Sequence, residues 1–210
     1  MTEIILARHG ETEWNVEEIF RGQVDVTLNE TGVRQAQLLA QYLAKLKVEV
    51  IYSSPLQRAV QTATVVAHQH HLEVSITPAL IDFNFGQWQG LPVPVVKSRY
   101  PELFAEWASH PDLVKIPDGE SLKAVSDRAM ALVDEVVTKY TGTIVLVSHR
   151  VVNKVLTCAL LGLDNSRFWN IRMDTCGITT FSYENGRFIL TKHNDTSFLK
   201  PLEKTPLRDF

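Results

Sequence analysis

Cysteine is scarce: Cys158 and Cys176 are the only two in 210 residues. They are far apart and no metal-ligand spacing accompanies them, which argues against a disulfide scaffold and a cysteine-based zinc centre and for buried thiols in a reducing compartment. Long apolar runs are missing as well. No stretch approaches the roughly 20 residues that span a bilayer, and a strand pattern begins almost at once where a signal peptide would need a cleavable leader. The expectation is a cytoplasmic protein with no membrane partner. Nor is there a surplus of basic residues: 21 lysines and arginines face 24 acids, for a net charge of −3. Without a long basic run, nucleic acid is not an expected partner. With 45% hydrophobic residues, the chain suffices for one good core and is short for two, so 1–210 reads as one domain.

Against that background the segment Arg8-His9-Gly10-Glu11-Thr12 stands out, because it follows the apolar run Ile4-Ile5-Leu6-Ala7. A cation and a neutral nitrogen nucleophile sit where a buried strand empties into a loop. In open α/β sheets the carboxyl ends of strands face the ligand crevice, so this junction suggests chemistry on an anion, phosphate first among them. Three other segments repeat the pattern. Val48 to Tyr52 runs into Ser53-Ser54-Pro55-Leu56-Gln57-Arg58, where Pro55 suits the first turn of a helix. The β-branched run Thr143 to Val147 ends at Ser148-His149, and Leu72 to Ile76 precedes Asp82 by six residues. If these strands are parallel neighbours, Arg8, His9, Arg58, Asp82 and His149 converge on one rim. Taken singly each has a structural alternative: Arg58 pairing a surface acid, Asp82 capping the turn before Phe83, His149 donating to a core carbonyl.

The rest of the chain alternates strand and helix. Thr31 is a suitable cap for a helix with Val33, Ala36, Leu39, Ala40 and Leu43 on one face. Further helices are expected over 55–70, 121–140 and 149–161, and strands over 178–183 and 188–192 joined by Glu184-Asn185-Gly186. Residues 91–118 carry five of the nine prolines with Tyr100, Phe104 and Trp107, a composition that breaks regular elements and reads as short helices and loops forming a lid over the rim. His68, His70 and His71 lack carboxylate or cysteine support and read as a solvated helix end, with no metal implied. The tail from His193 has mixed charge and either packs over the site or moves.

Taken together the chain resembles the histidine phosphatase superfamily, which includes the cofactor-dependent phosphoglycerate mutases. The matching stretches are Arg8 to Thr12 with Asn15, Arg21-Gly22, Asp25, Leu28, Thr31-Gly32, Ser53 to Ala59 with Gln61-Thr62-Ala63, Gly86, Trp88, Gly90, Gly119-Glu120-Ser121 and Val147-Ser148-His149. The resemblance implies a three-layer α/β/α sandwich with a mostly parallel sheet. It also implies that His9 attacks phosphorus, that Arg8, Arg58 and a protonated His149 bind the phosphoryl oxygens, and that Asp82 is the general acid and base, with Asn15, Arg21 and Gly22 touching substrate. No metal or other cofactor is needed for that chemistry.

Four positions depart from the family pattern. Asp82 stands where glutamate is common, Gln87 and Gln89 flank Trp88 where acids are frequent, Arg150 follows His149 where glycine is usual, and Arg21 replaces glutamine or serine. The expected activity is hydrolysis of a small phosphorylated metabolite, similar to the short phosphatases related to α-ribazole phosphatase and metal-independent phosphoserine phosphatase; Asn194-Asp195-Thr196 resembles a segment near the end of the former. Mutase activity and a catalytically weak phospho-ligand binder are the alternatives. A homodimer is compatible with this reading.

Overall fold

A computed structural model describes residues 2–202. Six strands form one sheet: β1 (Thr2–Arg8), β2 (Val48–Ser53), β3 (Val74–Ile76), β4 (Thr143–Ser148), β5 (Ile178–Glu184) and β6 (Arg187–Asp195), in the order β3-β2-β4-β1-β5-β6. The first four are mutually parallel, and β5 and β6 extend the sheet by antiparallel pairing. The chain leaves β1, passes over the place that β4 later fills, and builds outward through β2 and β3. This leaves the carboxyl ends of β1 and β4 side by side at the sheet's switch point, with Arg8 registered on Ser148.

The helices are α1 (Glu13–Val16), α2 (Glu30–Leu43), α3 (Gln57–His70), α4 (Val93–Arg99), α5 (Pro101–Ser109), α6 (Leu122–Lys139) and α7 (Arg150–Leu160). Side chains alternate across a strand, so the continuous apolar runs of β1 and β4 serve two cores. Ile5, Ala7, Val145 and Val147 pack with Leu39, Ala40, Ala63 and Val66 of α2 and α3. Ile4, Leu6, Ile144 and Leu146 pack with Val125, Val133, Val152 and Leu156 of α6 and α7. The result is a three-layer α/β/α sandwich. Truncating one of these fully buried residues, Leu146→Ala for example, is expected to cost about 2–5 kcal/mol.

Several element boundaries differ from the sequence reading. The cap of α2 is Asn29, whose side chain accepts the Gly32 amide at 2.8 Å, so Thr31 already lies inside the helix. That shift turns the buried face to Gly32, Gln35, Ala36, Leu39, Ala40 and Leu43 and leaves Val33 exposed. Pro55 precedes α3 rather than opening it, because Leu56 keeps extended backbone, and Arg58 is therefore the helix's second residue. β3 is short, three residues at the sheet edge.

Within 91–118, α4 and α5 turn their aromatics inward. Trp107 is buried against Phe83, Phe85, Trp88, Phe168 and Trp169. The segment is tied to the loop after α1 by Phe20 N–H donating to the Leu91 carbonyl and Gly90 N–H donating to that of Phe20. The tail is described to Leu202: Phe198 stacks near Tyr42 of α2, whose hydroxyl donates to Asp195 at 2.8 Å. The remainder of the sequence tail lies outside the described residues. Among the described residues no helix is long and apolar enough to cross a membrane.

Candidate active site

The ends of β1, β2 and β4 put His9, Ser54 and His149 at one level. The His9 amide donates to the Ser148 carbonyl and the Ser54 amide to that of Val147, each at 3.0 Å. The rings of His9 and His149 are 5.2 Å apart between centroids. His9 Nδ1 lies 2.6 Å from the Gly10 carbonyl oxygen. A carbonyl only accepts, so Nδ1 carries the hydrogen and Nε2 keeps its lone pair. Burial, followed by Arg58, His149, Arg8 and Arg21, holds the imidazole well below the ordinary histidine value. His9 is thus an oriented imidazole whose neutral form is favoured.

The loop that carries His9 is held by close backbone approach. A Cβ on Gly10 would meet the Gly32 carbonyl oxygen at 2.5 Å, and one on Gly32 would meet that of Glu11 at 2.1 Å. Only paired glycines let this loop lie on the start of α2. The Gly10 amide donates to Thr62 Oγ1, which itself donates to the Arg58 carbonyl. On the other side Cys176 N–H donates to the His9 carbonyl, in a turn pinned by Asn194, whose side chain accepts from the Asp174 amide and donates to its carboxylate.

Arg58 is fully buried. It donates to the Val24 and Gly22 carbonyls at 2.9 and 2.7 Å and to Asp82 Oδ2 at 3.0 Å. Its Nε has no hydrogen-bond partner among the described residues. Arg8, also buried, donates to the Met173 carbonyl. His149 caps α7 and shares a 2.7 Å hydrogen bond between Nε2 and Ser54 Oγ, while its Nδ1 stands 3.6 Å from Asp82 Oδ2. Burial, then Arg58, Arg21, Arg128 and Arg8, hold this ring well below the ordinary histidine value. The expectation of a protonated His149 therefore does not describe the protein alone. Surrounding guanidinium groups disfavour a further cation, so a proton on His149 has to be stabilised by an arriving anion.

Asp82 bridges the two halves of the site. Its Oδ2 takes the Arg58 contact while Oδ1 accepts the following Phe83 amide at 2.9 Å, so it is both site residue and turn cap. The loop around it is clamped from three directions. Ser148 Oγ donates to the Leu80 carbonyl, Arg128 donates to the Ala79 and Asp82 carbonyls, and Gln23 donates to the latter as well. Glu120 holds Arg128 at 3.0 Å and accepts the Asn84 amide.

Of the three expected substrate contacts, two face the pocket. Arg21 and Gly22 line a small cavity with Ile19, Phe20, Asp82, Phe85, Arg150 and Val151. Gly22 also turns its carbonyl to Arg58. Asn15 behaves differently: its side-chain oxygen accepts from both the amide and the hydroxyl of Thr12, which fastens α1 to the His9 loop. Ser54, Thr62 and Arg128 received no role in the sequence reading, although Ser54 and Thr62 lie inside the matched motif. The Met173 carbonyl gave no sequence signal, being 165 residues from Arg8. Among the described residues no three His, Cys, Asp or Glu side chains cluster as metal ligands would. Both cysteines are buried, with the Cys158 thiol pushed up to about 11 and that of Cys176 higher still by burial.

Known proteins are similar to this chain in sequence and fold. A family model of the histidine phosphatase superfamily (branch 1) matches residues 4–196. Phosphoserine phosphatase 1 of Hydrogenobacter thermophilus is 39% identical over 200 residues, covering 95% of each chain. Among solved structures, mycobacterial glucosyl-3-phosphoglycerate phosphatase with VO3 superposes with a TM-score of 0.86 at 30% identity, over 92% of this chain and 99% of the other. Phosphoserine phosphatase of Entamoeba histolytica with 3-phosphoglyceric acid gives 0.85 at 32% identity, over 95% of this chain and all (100%) of the other. From strand ends, paired histidines and buried arginines to these likenesses, the findings agree: the chain belongs to the histidine phosphatase superfamily.

Proposed function

We infer that this chain is a phosphatase that hydrolyses a small phosphomonoester through a phosphohistidine on His9. The observation that carries the reading is the fixed tautomer of His9: its Nδ1 hydrogen is committed to the Gly10 carbonyl, which leaves the Nε2 lone pair unprotonated in a buried site under the influence of Arg58, Arg8 and Arg21. In the first step Nε2 bonds to phosphorus as the bond to the leaving oxygen breaks. Arg8 and Arg58 receive the non-bridging oxygens, and a phosphoryl dianion draws a proton from solvent onto His149 by reversing the local field, a proton that returns to solvent when phosphate departs. Asp82 supplies the proton that the leaving oxygen needs. In the second step Asp82 takes a proton from water, whose oxygen attacks phosphorus and returns the electron pair to His9 Nε2. Phosphate leaves and Asp82 is again protonated.

Two features support Asp82 despite its short side chain. It lies beside both Arg58 and His149 at the cavity wall, and Arg128 and Gln23 hold its carbonyl while Ser148 holds that of Leu80. The 91–118 segment acts as a buttress for the leaving-group side, since Trp107 backs Phe85 and Leu91 backs Phe20. The substrate is a small phosphorylated metabolite, as the names of the related phosphatases suggest. Rapid quench with phosphorus-labelled substrate tests the route. An acid-labile, base-stable adduct on His9 is expected, with sustained turnover in excess chelator, and full turnover by His9→Ala would overturn the covalent route.

A further inference from the structure

Ser54 has no part in the steps above, yet its hydroxyl meets His149 Nε2 at 2.7 Å with both residues fully buried. Local sequence fixes where that hydroxyl stands. Pro55 keeps Ser54 out of helical backbone and has no amide hydrogen of its own, so the first N–H past the strand belongs to Leu56, and it donates to Ser54 Oγ at 3.3 Å. The Ser54 amide donates to the Val147 carbonyl, and its own carbonyl accepts the Ser53 hydroxyl. Counting hydrogens then decides the direction of the bond to His149. The Leu56 amide occupies one lone pair of Oγ, and among the described residues the Ser54 hydrogen has no acceptor other than His149 Nε2. Were Nε2 the donor, that hydrogen would be buried without an acceptor. The Nδ1 lone pair would also look across 3.6 Å at Asp82 Oδ2, one acceptor against another. With Ser54 donating, both conflicts vanish: Nε2 accepts, the ring hydrogen sits on Nδ1, and it lies toward the carboxylate. A third state, with hydrogen on both nitrogens, adds a cation to a place already influenced by Arg58 from α3, Arg21 from the loop after α1, Arg128 from α6 and Arg8 from β1, with the His9 ring and Asp82 beside it.

We propose that Ser54 is a positioning residue: its hydroxyl holds His149 as the tautomer with hydrogen on Nδ1, so that the neutral ring already carries a donor for a phosphoryl oxygen on the side where Asp82 and Arg58 stand. The consequence for the reaction rests on the phosphatase reading above, whereas the tautomer does not. His149 Nδ1 is buried and has no hydrogen-bond partner among the described residues, and a phosphoryl oxygen would satisfy it. The proton that the phosphoryl dianion draws from solvent then enters at Nε2, the ring nitrogen that is still bare, and Ser54 turns its hydroxyl from donor to acceptor while keeping its own hydrogen. That turn gives up the bond the hydroxyl made as a donor, so Ser54 also favours the neutral ring until the anion is in place.

Long-range proton–nitrogen correlation spectra of the isotope-labelled, phosphate-free chain read the tautomer, with the His149 signals assigned by their absence in His149→Gln. At neutral pH the parent should show hydrogen on Nδ1 and a bare Nε2. Hydrogen on Nε2, or on both nitrogens, would overturn the proposal. Ser54→Ala should leave a mixture of the two neutral tautomers, and Ser54→Thr, which keeps the hydroxyl, should restore the single form. In turnover of p-nitrophenyl phosphate, Ser54→Ala should lose about 3- to 10-fold in kcat, the range of one neutral hydrogen bond, and Ser54→Thr should recover most of that loss. Inorganic phosphate should inhibit Ser54→Ala more weakly by a similar factor. A threonine variant that folds like the parent yet is as slow as the alanine variant would assign the effect to packing and sink the role of the hydroxyl. So would an alanine variant that keeps the parent's tautomer. Should Ser54→Thr not fold, the parent and alanine spectra decide. No hydrolysis of p-nitrophenyl phosphate by the parent would instead strike the phosphatase reading, and the tautomer would stand or fall by its spectrum.

Discussion

The two ends of the pocket, proposed to receive the phosphoryl group and the leaving group, are built differently. At the phosphoryl end, His9, Ser54 and His149 stand on the exits of three adjacent parallel strands, and sheet hydrogen bonds fix their relative height. At the leaving-group end, Arg21, Gly22, Asp82 and Phe85 sit on loops, and their places depend on side-chain clamps such as Arg128 to Asp82 and Gln23 to Asp82. A strand exit tolerates little choice, because moving one residue along the strand reverses its side chain. A clamped loop is free to change residue type while keeping its path. The phosphoryl end therefore follows the family pattern at His9, Ser54 and His149, and the departures at Asp82 and Arg21 fall on the loops, while Arg150 opens α7 next to His149 and lines the same cavity.

That contrast breaks most sharply at His9. His9→Ala should lower turnover by at least about 10⁴-fold on every phosphomonoester, whatever its leaving group, because it removes the nucleophile. Stopped single-turnover assays on aryl and alkyl phosphates check it, and a loss confined to one class would place His9 at the leaving-group end instead. Asp82→Asn should discriminate. A loss of roughly 10²- to 10⁴-fold is expected on alkyl phosphates, and about tenfold or less for phosphorylation of His9 by an aryl phosphate that departs without a proton. Equal losses would exclude proton donation by Asp82.

Arg58→Lys keeps a charge but cannot reach the Val24 and Gly22 carbonyls and Asp82 together. Activity should fall about 10- to 100-fold and inorganic phosphate should inhibit more weakly. Unchanged inhibition by phosphate would move Arg58 out of the phosphoryl end.

The smallest effect is on stability. His9 and His149 are held neutral in the fold but take protons below about pH 6.5 in the unfolded chain. Their folded values are depressed, so the unfolded state binds more protons as pH falls. Their contribution is complete above about pH 6.5 and is lost below it, by up to ~1.4 kcal/mol per histidine per pH unit. Thermal unfolding between about pH 7.5 and 5.5, a window that brackets the ordinary histidine value, should show this decline, shallower in His149→Gln. Identical slopes in parent and variant would clear His149 of the effect.

By itself the sequence determined most of the elements and singled out the residues that meet in the candidate site. Apolar runs in β1 and β4, each ending in a histidine within a residue or two, marked strand exits from local pattern alone, since a strand buried on both faces cannot read otherwise. The helical spacing of Leu122, Val125, Ala129, Leu132, Val133 and Val136 marked α6 in the same local way. Tertiary structure alone decided which groups touch. The cap of α2 moved to Asn29 because its contact with Gly32 joined a glycine pair, Gly10 and Gly32, that is distant in sequence and in contact in space. Asn15, expected by motif to touch substrate, uses its side-chain oxygen to fasten Thr12, a contact that no motif spelled out. The neutral state of His149, the grip of Arg128 on the Asp82 loop and the shared cavity of Arg21 and Arg150 depend on burial and on charges brought from distant segments. Periodicity is a property of neighbours along the chain, whereas desolvation and Coulomb energy are properties of neighbours in space.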